Sequence, residues 1–153
     1  MSPTKNHILI LLSQSEKTSF GKQDFSRQSL PQKTFSAIWA VESEVNNGGF
    51  SQYFLNSTCD STPFVVTALE TIGAPTTADI CKRAIETAFP NGLPRSEDAI
   101  RAAAASFTDE ILAALEPLDQ EFFSYPHNLT DLLFAYVSCY PQEFGALPKA
   151  DDE

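Results

Sequence analysis

The stretch ESEVNNGGFSQYFLN, residues 42–56 and called the Asn-Gly stretch below, decides which fold the sequence predicts. Before it, apolar residues recur from Phe35 onward at steps of three and four residues, the period of an amphipathic α-helix. Residues 46–49 are Asn-Asn-Gly-Gly, and both residue types tolerate the left-handed backbone that ends many helices. We therefore predict that this helix stops at residues 46–49 in a sharp reversal, and that a short helix follows through Gln52 and Phe54.

Helical patterns continue on both sides of this stretch. Ser29 and Gln32 predict a helix start, since Ser followed three residues later by Gln is a capping box, and the proline between them suits a first turn. Residues 8–12 form a short apolar run that fits a buried strand or a turn of helix, and helix is favoured because everything downstream is helical. The sequence leaves open a helix break near residues 106–109. Further helices are expected to begin at Ser61, Thr76 or Thr77, Ser96, Pro117 and Asn128.

The fold class that these patterns predict is all-α, an irregular bundle of six to eight short helices. No stretch alternates apolar and polar residues for long enough to predict a strand. A length of 153 residues suits one domain. Residues 31–148 form its helical part, residues 1–30 are an N-terminal segment assigned to the same domain, and residues 149–153 are an acidic tail. Three aromatic side chains are expected to be largely buried: Trp39, Phe54 and Tyr136.

Charge is distributed unevenly along the chain. Twenty acidic and ten basic residues give a net charge of −10, but residues 1–33 carry +3 and residues 34–148 carry −11. From residue 102 to residue 148 the sequence contains seven acids and no Lys or Arg. Such a surface repels phosphates and attracts basic groups, so we expect a basic DNA-binding protein as partner and no direct binding of nucleic acid.

The sequence offers little for catalysis, metal binding or cofactors. The two histidines, His7 and His127, lie far apart, and the three cysteines form no C-x-x-C pair. Nucleotide-binding and nucleophile-elbow motifs are absent. We therefore expect no metal, no cofactor and no enzymatic activity. The odd number of cysteines and the lack of an export signal or long apolar run predict a cytoplasmic protein that does not enter a membrane.

The polar residues of the Asn-Gly stretch allow two interpretations. In the first they are structural: the glycines make the reversal, and the polar side chains hydrogen-bond the helix ends beside it. In the second, Glu42, Gln52 and Asn56 converge on a small ligand in a pocket around Asn47. Glu42 and Glu44 lie on different helix faces, so we do not expect them to act as an acid/base pair. The residues assigned to one role or the other are Glu42, Glu44, Asn47, Gly48, Gly49, Gln52 and Asn56.

The Asn-Gly stretch also resembles a family signature. Its pattern E-x-E-x-x-N-G-G-F-x-Q-Y-F-x-N is similar to that of a bacterial family of unknown function that includes a neisserial dimeric DNA-mimic protein. The resemblance extends from about Leu30 to Tyr140. It implies an all-helical fold and a homodimer whose acidic surface imitates duplex DNA and so occupies a DNA-binding transcription factor.

Net charge alone does not make a DNA mimic. A compact chain of this length is roughly 40 Å across, and duplex DNA of that length carries about 24 phosphate charges. The acids must therefore be concentrated on one face. The candidate interaction surface consists of Asp109, Glu110, Glu116, Asp119, Glu121 and Asp131.

Two other functions fit the same sequence. An immunity-type or adaptor protein would neutralise a basic partner with a compact acidic patch and apolar anchors, whereas a mimic needs a long band of spaced charge. A small-ligand module would instead use the pocket around Asn47. The acids also have a structural interpretation, since acids in the first turn of a helix interact favourably with the helix dipole.

Overall fold

The computed structural model describes residues 4–14, 24–56 and 60–145, and these contain helices and no β-strand. The all-α prediction is therefore confirmed, while the predicted acidic tail lies outside the described residues. Two short 3-10 helices span Phe25–Arg27 and Thr62–Phe64. The α-helices are α1 (Lys5–Ser13), α2 (Leu30–Leu55), α3 (Val65–Thr71), α4 (Pro75–Ala88), α5 (Glu97–Ala105), α6 (Asp109–Phe123), α7 (Leu129–Ser138) and α8 (Pro141–Phe144).

Hydrogen-bonding side chains fix where several helices begin. The capping box at α2 is present as predicted: the Ser29 N–H donates to Gln32 Oε1 at 2.9 Å, and the Gln32 N–H donates to Ser29 Oγ at 3.4 Å. Ser96 and Asn128 cap α5 and α7, also as predicted. Each cap satisfies a backbone N–H that the first turn of a helix leaves without an intrahelical partner.

Two predicted helix starts are wrong. α4 begins at Pro75 rather than after Thr76 or Thr77, because the fixed φ of proline suits a first helical turn. Pro117 lies inside α6, which begins after the capping Thr108, so a break does separate α5 from α6. Pro117 is exposed, so the backbone hydrogen bond that it cannot make is lost on the solvent side of the helix.

Helix α2 is interrupted at the two glycines of the Asn-Gly stretch. Gly48 (φ −161°, ψ 17°) and Gly49 (φ 78°, ψ −177°) leave the helical region, so the break lies where the sequence predicts it. In a straight helix, residues 44 and 56 would lie about 18 Å apart along the axis. Their side chains are hydrogen-bonded to each other, so the chain changes direction sharply at this kink. The predicted reversal is thus present: Leu30–Leu55 consists of two helical segments that meet at this kink without a loop between them.

An aromatic core surrounds the kink. α2 lies at the centre of the bundle, where it contacts α3, α5, α6, α7 and α8. Phe54 is fully buried, as predicted, and Trp39 and Tyr136 are partly buried and pack against the core. Trp39 lies at the edge of the buried stripe of α2 and stacks on Phe35, with ring centres 5.6 Å apart. The rings that pack around the kink are those of Phe50, Phe54, Phe89, Phe107 and Phe122.

Helix α1 confirms the helical interpretation of the first apolar run, and it packs against α7. Ile8, Leu9 and Leu12 are buried, and Lys5 Nζ lies 3.2 Å from Asp131 Oδ1. Among the helices of the described ranges, none is both long enough and apolar enough to cross a membrane.

Candidate functional site

Three polar side chains of α2 meet across the kink and form what we call the Glu44 cluster: Glu44, Gln52 and Asn56. Gln52 Nε2 donates to Glu44 Oε2 at 3.0 Å, and Asn56 Nδ2 donates to the same oxygen. All three residues are partly buried. These hydrogen bonds join the segment after the kink to the segment before it and offset the cost of removing the polar groups from water.

Glu42 does not join this cluster, which corrects the expectation that it converges with the two amides. It is two residues from Glu44, or about 200° around the helix, so its side chain lies on the opposite face. There the Tyr125 hydroxyl donates to Glu42 Oε1 at 3.0 Å, and Asn46 Nδ2 donates to the Tyr125 hydroxyl oxygen at 2.6 Å. The separation of the two glutamates agrees with the expectation that they do not form an acid/base pair.

The environment of Glu42 shifts two pKa values. Burial raises the pKa of the Glu42 carboxyl, and the hydrogen bond from Tyr125 opposes this shift. Burial is also the main cause that raises the pKa of Tyr125 to about 12, so the hydroxyl keeps its proton at neutral pH. Since its oxygen accepts a hydrogen bond from Asn46, the proton is free to be donated to Glu42.

Glu42 borders a cavity of about 220 Å³ between α1 and α2. Asn47, around which the sequence predicts a pocket, is exposed and does not line this cavity. Gln52 and Asn56 also lie outside its lining, since their amides are held in the Glu44 cluster. The cavity is lined by Asn6, Ile10, Trp39, Glu42, Ser43 and Asn46.

Gly49 and Asp119 together form the kink. The backbone of Gly49 lies in a region that is open essentially to glycine alone. The Phe50 N–H donates to Asp119 Oδ1 at 2.8 Å, and a Cβ added to Gly49 would lie 2.5 Å from Asp119 Oδ2. Asp119 therefore caps the helical segment that follows the kink. The other glycine of the kink, Gly48, is exposed. Burial raises the pKa of Asp119, and the hydrogen bond from Phe50 opposes that shift.

The six acids of the candidate interaction surface fall into two groups, and three of them are used inside the fold. Asp119 caps the segment after the kink, and Asp131 forms an ion pair with Lys5. Glu121 accepts two hydrogen bonds from Arg83, at 2.7 and 2.8 Å. These hydrogen bonds lower the pKa of Glu121. The partners lie far away in sequence, so the base-free run of acids gave no sign of them.

The other three acids, Asp109, Glu110 and Glu116, are exposed on α6 and form no ion pair with another described residue. Asp109 and Glu116 are seven residues apart and share one face of the helix, two turns from each other. Leu112 and Phe123 lie on the same face and are 42% and 40% exposed. For brevity we call these four residues the α6 face and include the exposed Glu110, although it lies about 100° farther around the helix than Asp109.

Tyr125 is a site residue that sequence reasoning did not find. Its φ is 48°, the one positive value among the described residues other than glycine. It precedes Pro126, and the residue before a proline normally adopts an extended backbone, so the sequence points away from this conformation. Only the fold places its hydroxyl beside Glu42 and Asn46.

In a comparison with protein families, residues 26–140 match the family described as DMP19-like protein. The matched region runs from the 3-10 helix before α2 to Tyr140, two residues after the end of α7, and includes the whole Asn-Gly stretch. Neither the curated proteins nor the solved structures give a significant match.

Proposed function

The chain belongs to the DMP19-like protein family, and from this premise we propose that it is an acidic protein-binding module that acts as a DNA mimic. It would occupy the surface with which a basic protein, such as a transcription factor, binds DNA. The observation that carries the proposal is the α6 face, where Asp109, Glu110 and Glu116 are exposed without an ion pair to another described residue.

The spacing of the acids on a single α6 face determines how closely that face can imitate a DNA strand. Asp109 and Glu116 are separated by about 10.5 Å along the helix, a distance over which one DNA strand places about three phosphates. One face is therefore a sparse imitation of a DNA strand, and a homodimer would supply the second set of acids. A basic groove would still be attracted, because the chain as a whole carries a net charge of −10.

The apolar residues of the α6 face support a second candidate, an adaptor that neutralises a basic partner. Leu112 and Phe123 are exposed beside the acids, and buried aromatic anchors contribute much of the affinity of a protein interface. A mimic that relies on charge should be sensitive to salt, whereas an apolar anchor holds its partner at high salt.

Binding kinetics with a DNA competitor test the proposal. A partner captured from lysate would be measured at low and high salt against wild type and the double variant Glu110→Lys/Glu116→Lys. A matched control, Glu70→Lys/Glu86→Lys, makes the same charge change on exposed positions of α3 and α4. Asp119 is left intact, because it caps the segment after the kink.

We expect the α6 double variant to slow association several-fold at low salt, with little effect from the control, and DNA to compete with wild type. A partner that binds equally well at high salt while its DNA site stays free would replace the mimic with the adaptor. Substitution of Leu112 and Phe123 by Ser should then accelerate dissociation more than the charge reversals slow association.

A further inference from the structure

We propose that the cavity beside Glu42 binds a guanidinium group, namely an arginine side chain of the basic partner protein. This inference rests on the proposed function, because it supplies the class of partner. It concerns a different part of the molecule, since the cavity lies between α1 and α2 and the acids of the α6 face do not line it.

The charge in the cavity selects a cation. Glu42 is the one ionisable group among the lining residues, and no Lys or Arg accompanies it. Oε1 of Glu42 accepts the hydrogen bond from Tyr125, whereas Oε2 has no hydrogen-bond partner among the described residues. A half-buried carboxylate with one oxygen left over gains most from a charged donor, because such hydrogen bonds are about twice as strong as neutral ones.

The remaining lining selects the shape of that cation. Trp39 offers an aromatic ring, on which a planar guanidinium stacks better than a compact ammonium does. The side-chain oxygens of Asn6, Ser43 and Asn46 add acceptors for the other guanidinium N–H groups. At about 220 Å³ the cavity is below the roughly 300–1,000 Å³ of sites that enclose whole small molecules, so it suits the end of one side chain.

Tyr125 is the positioning residue of this site. Its hydroxyl donates a hydrogen bond to Glu42 Oε1 at 3.0 Å. The backbone of Tyr125 has a φ of 48°, a value that a bulky residue rarely adopts. Strained backbone of this kind is concentrated at binding and switch sites, where the surrounding structure enforces it. Tyr125 lies two residues after Phe123, so the residue that holds Glu42 follows directly in sequence on the end of α6.

The sequence provides a built-in probe, because Trp39 is the only tryptophan in the chain. Its emission would be followed during titration of the full chain with N-acetyl-arginine amide. The control ligand is N-acetyl-citrulline amide, which has nearly the same shape but no charge. We expect a saturable change in emission with the arginine compound and none at equal concentration with citrulline.

Two variants connect this response to the cavity. Glu42→Gln keeps an acceptor for Tyr125 but removes the charge, and should weaken arginine binding at least about ten-fold. Tyr125→Phe keeps the charge of Glu42 but removes the hydrogen bond that positions it, and should weaken arginine binding less than Glu42→Gln does. The matched control Glu44→Gln changes a carboxylate of the same helix on the opposite face, and should leave the titration unchanged. Equal responses to arginine and citrulline, or wild-type binding by Glu42→Gln, would overturn the site.

A lysine probe and the partner itself test the ligand and its source. Tighter binding of N-acetyl-lysine amide than of the arginine compound would overturn the choice of guanidinium. Glu42→Gln should also weaken partner binding about ten-fold. Binding of the free probe without any loss of partner affinity would overturn the partner as its source. The double variant Glu110→Lys/Glu116→Lys should bind the probe normally, so a failure of the α6 face and a failure of the cavity give different results.

Discussion

Glu42 and Glu44 lie two residues apart in one helix, yet their carboxylates have opposite surroundings. Glu44 Oε2 accepts hydrogen bonds from two amides of its own helix, which the kink brings within reach. Glu42 is held by one hydroxyl from the segment between α6 and α7 and has an oxygen left over beside a cavity. The first carboxylate completes the fold, and the second is available for a ligand. Each carboxylate is hydrogen-bonded through one oxygen, so what separates the two acids is that Glu42 borders a cavity whereas Glu44 connects the two segments of its own helix.

The largest expected effect on stability comes from disrupting the kink, which brings the residues of the Glu44 cluster together. Gly49→Ala should lower the free energy of unfolding by about 2–4 kcal/mol, because the backbone there is essentially restricted to glycine and the new Cβ displaces the Asp119 cap. Urea unfolding of wild type and variant measures this difference. A loss below about 0.5 kcal/mol would contradict our account of the kink.

Gly48→Ala is the matched control for that measurement. Gly48 has an extended φ of −161° that any residue adopts, so its substitution causes no backbone strain. An added Cβ would clash with the Gln52 amide, which can rotate away from Glu44, and would also lie 2.9 Å from Gln52 Cβ, which side-chain rotation does not move, so the backbone must shift slightly. We expect a loss of about 1–2 kcal/mol, from one hydrogen bond and a small backbone shift, which is less than the loss caused by Gly49→Ala.

A smaller effect separates the two kinds of acid on α6. Asp119→Ala should cost about 1–2 kcal/mol of stability, since it removes the side-chain cap of the segment that carries Gln52 and Asn56. Glu116→Ala, one turn earlier and exposed, should change stability by less than about 0.5 kcal/mol. Thermal or urea unfolding compares them, and equal losses would mean that Asp119 is not a cap.

Much of the fold could be predicted from the sequence, because its signals are local. The capping box at Ser29, the caps at Ser96 and Asn128, and the break at Gly48 and Gly49 each depend on residues within one turn of each other. The errors arose where a local signal had two meanings. Proline suits a helix start, but Pro117 is tolerated inside α6 because it faces solvent.

The candidate site could be predicted only in part, because its contacts join distant residues. Helical geometry separates Glu42 from Glu44, but nothing local shows that Tyr125 holds one of them from 83 positions away. The acids of α6 show the same limit. Nothing in the sequence near Glu121 indicates a basic partner, yet Arg83, 38 positions away, donates hydrogen bonds to it. Tertiary contacts decide which polar groups are satisfied, and single-sequence patterns do not carry them.

The smallest expected effect is a pH-dependent one at Glu42. Burial raises the pKa of this carboxyl above its ordinary value of 4.5, so the folded state holds the proton more tightly than the unfolded chain does. The stability that this provides is complete at low pH and is lost as the pH rises through the folded pKa. Glu42→Gln removes the cost of ionising a buried acid, so its stability relative to wild type should increase as the pH rises above the ordinary pKa of 4.5. The groups around Glu42 carry no charge in this pH range: Asn6 and Ile10 from α1, Trp39, Ser43 and Asn46 from α2, and the Tyr125 hydroxyl.

Urea unfolding at several pH values measures the difference in stability between Glu42→Gln and wild type, with the exposed Glu110→Gln as control. If the stability of Glu42→Gln relative to wild type decreased with rising pH, Glu42 would not be a desolvated acid.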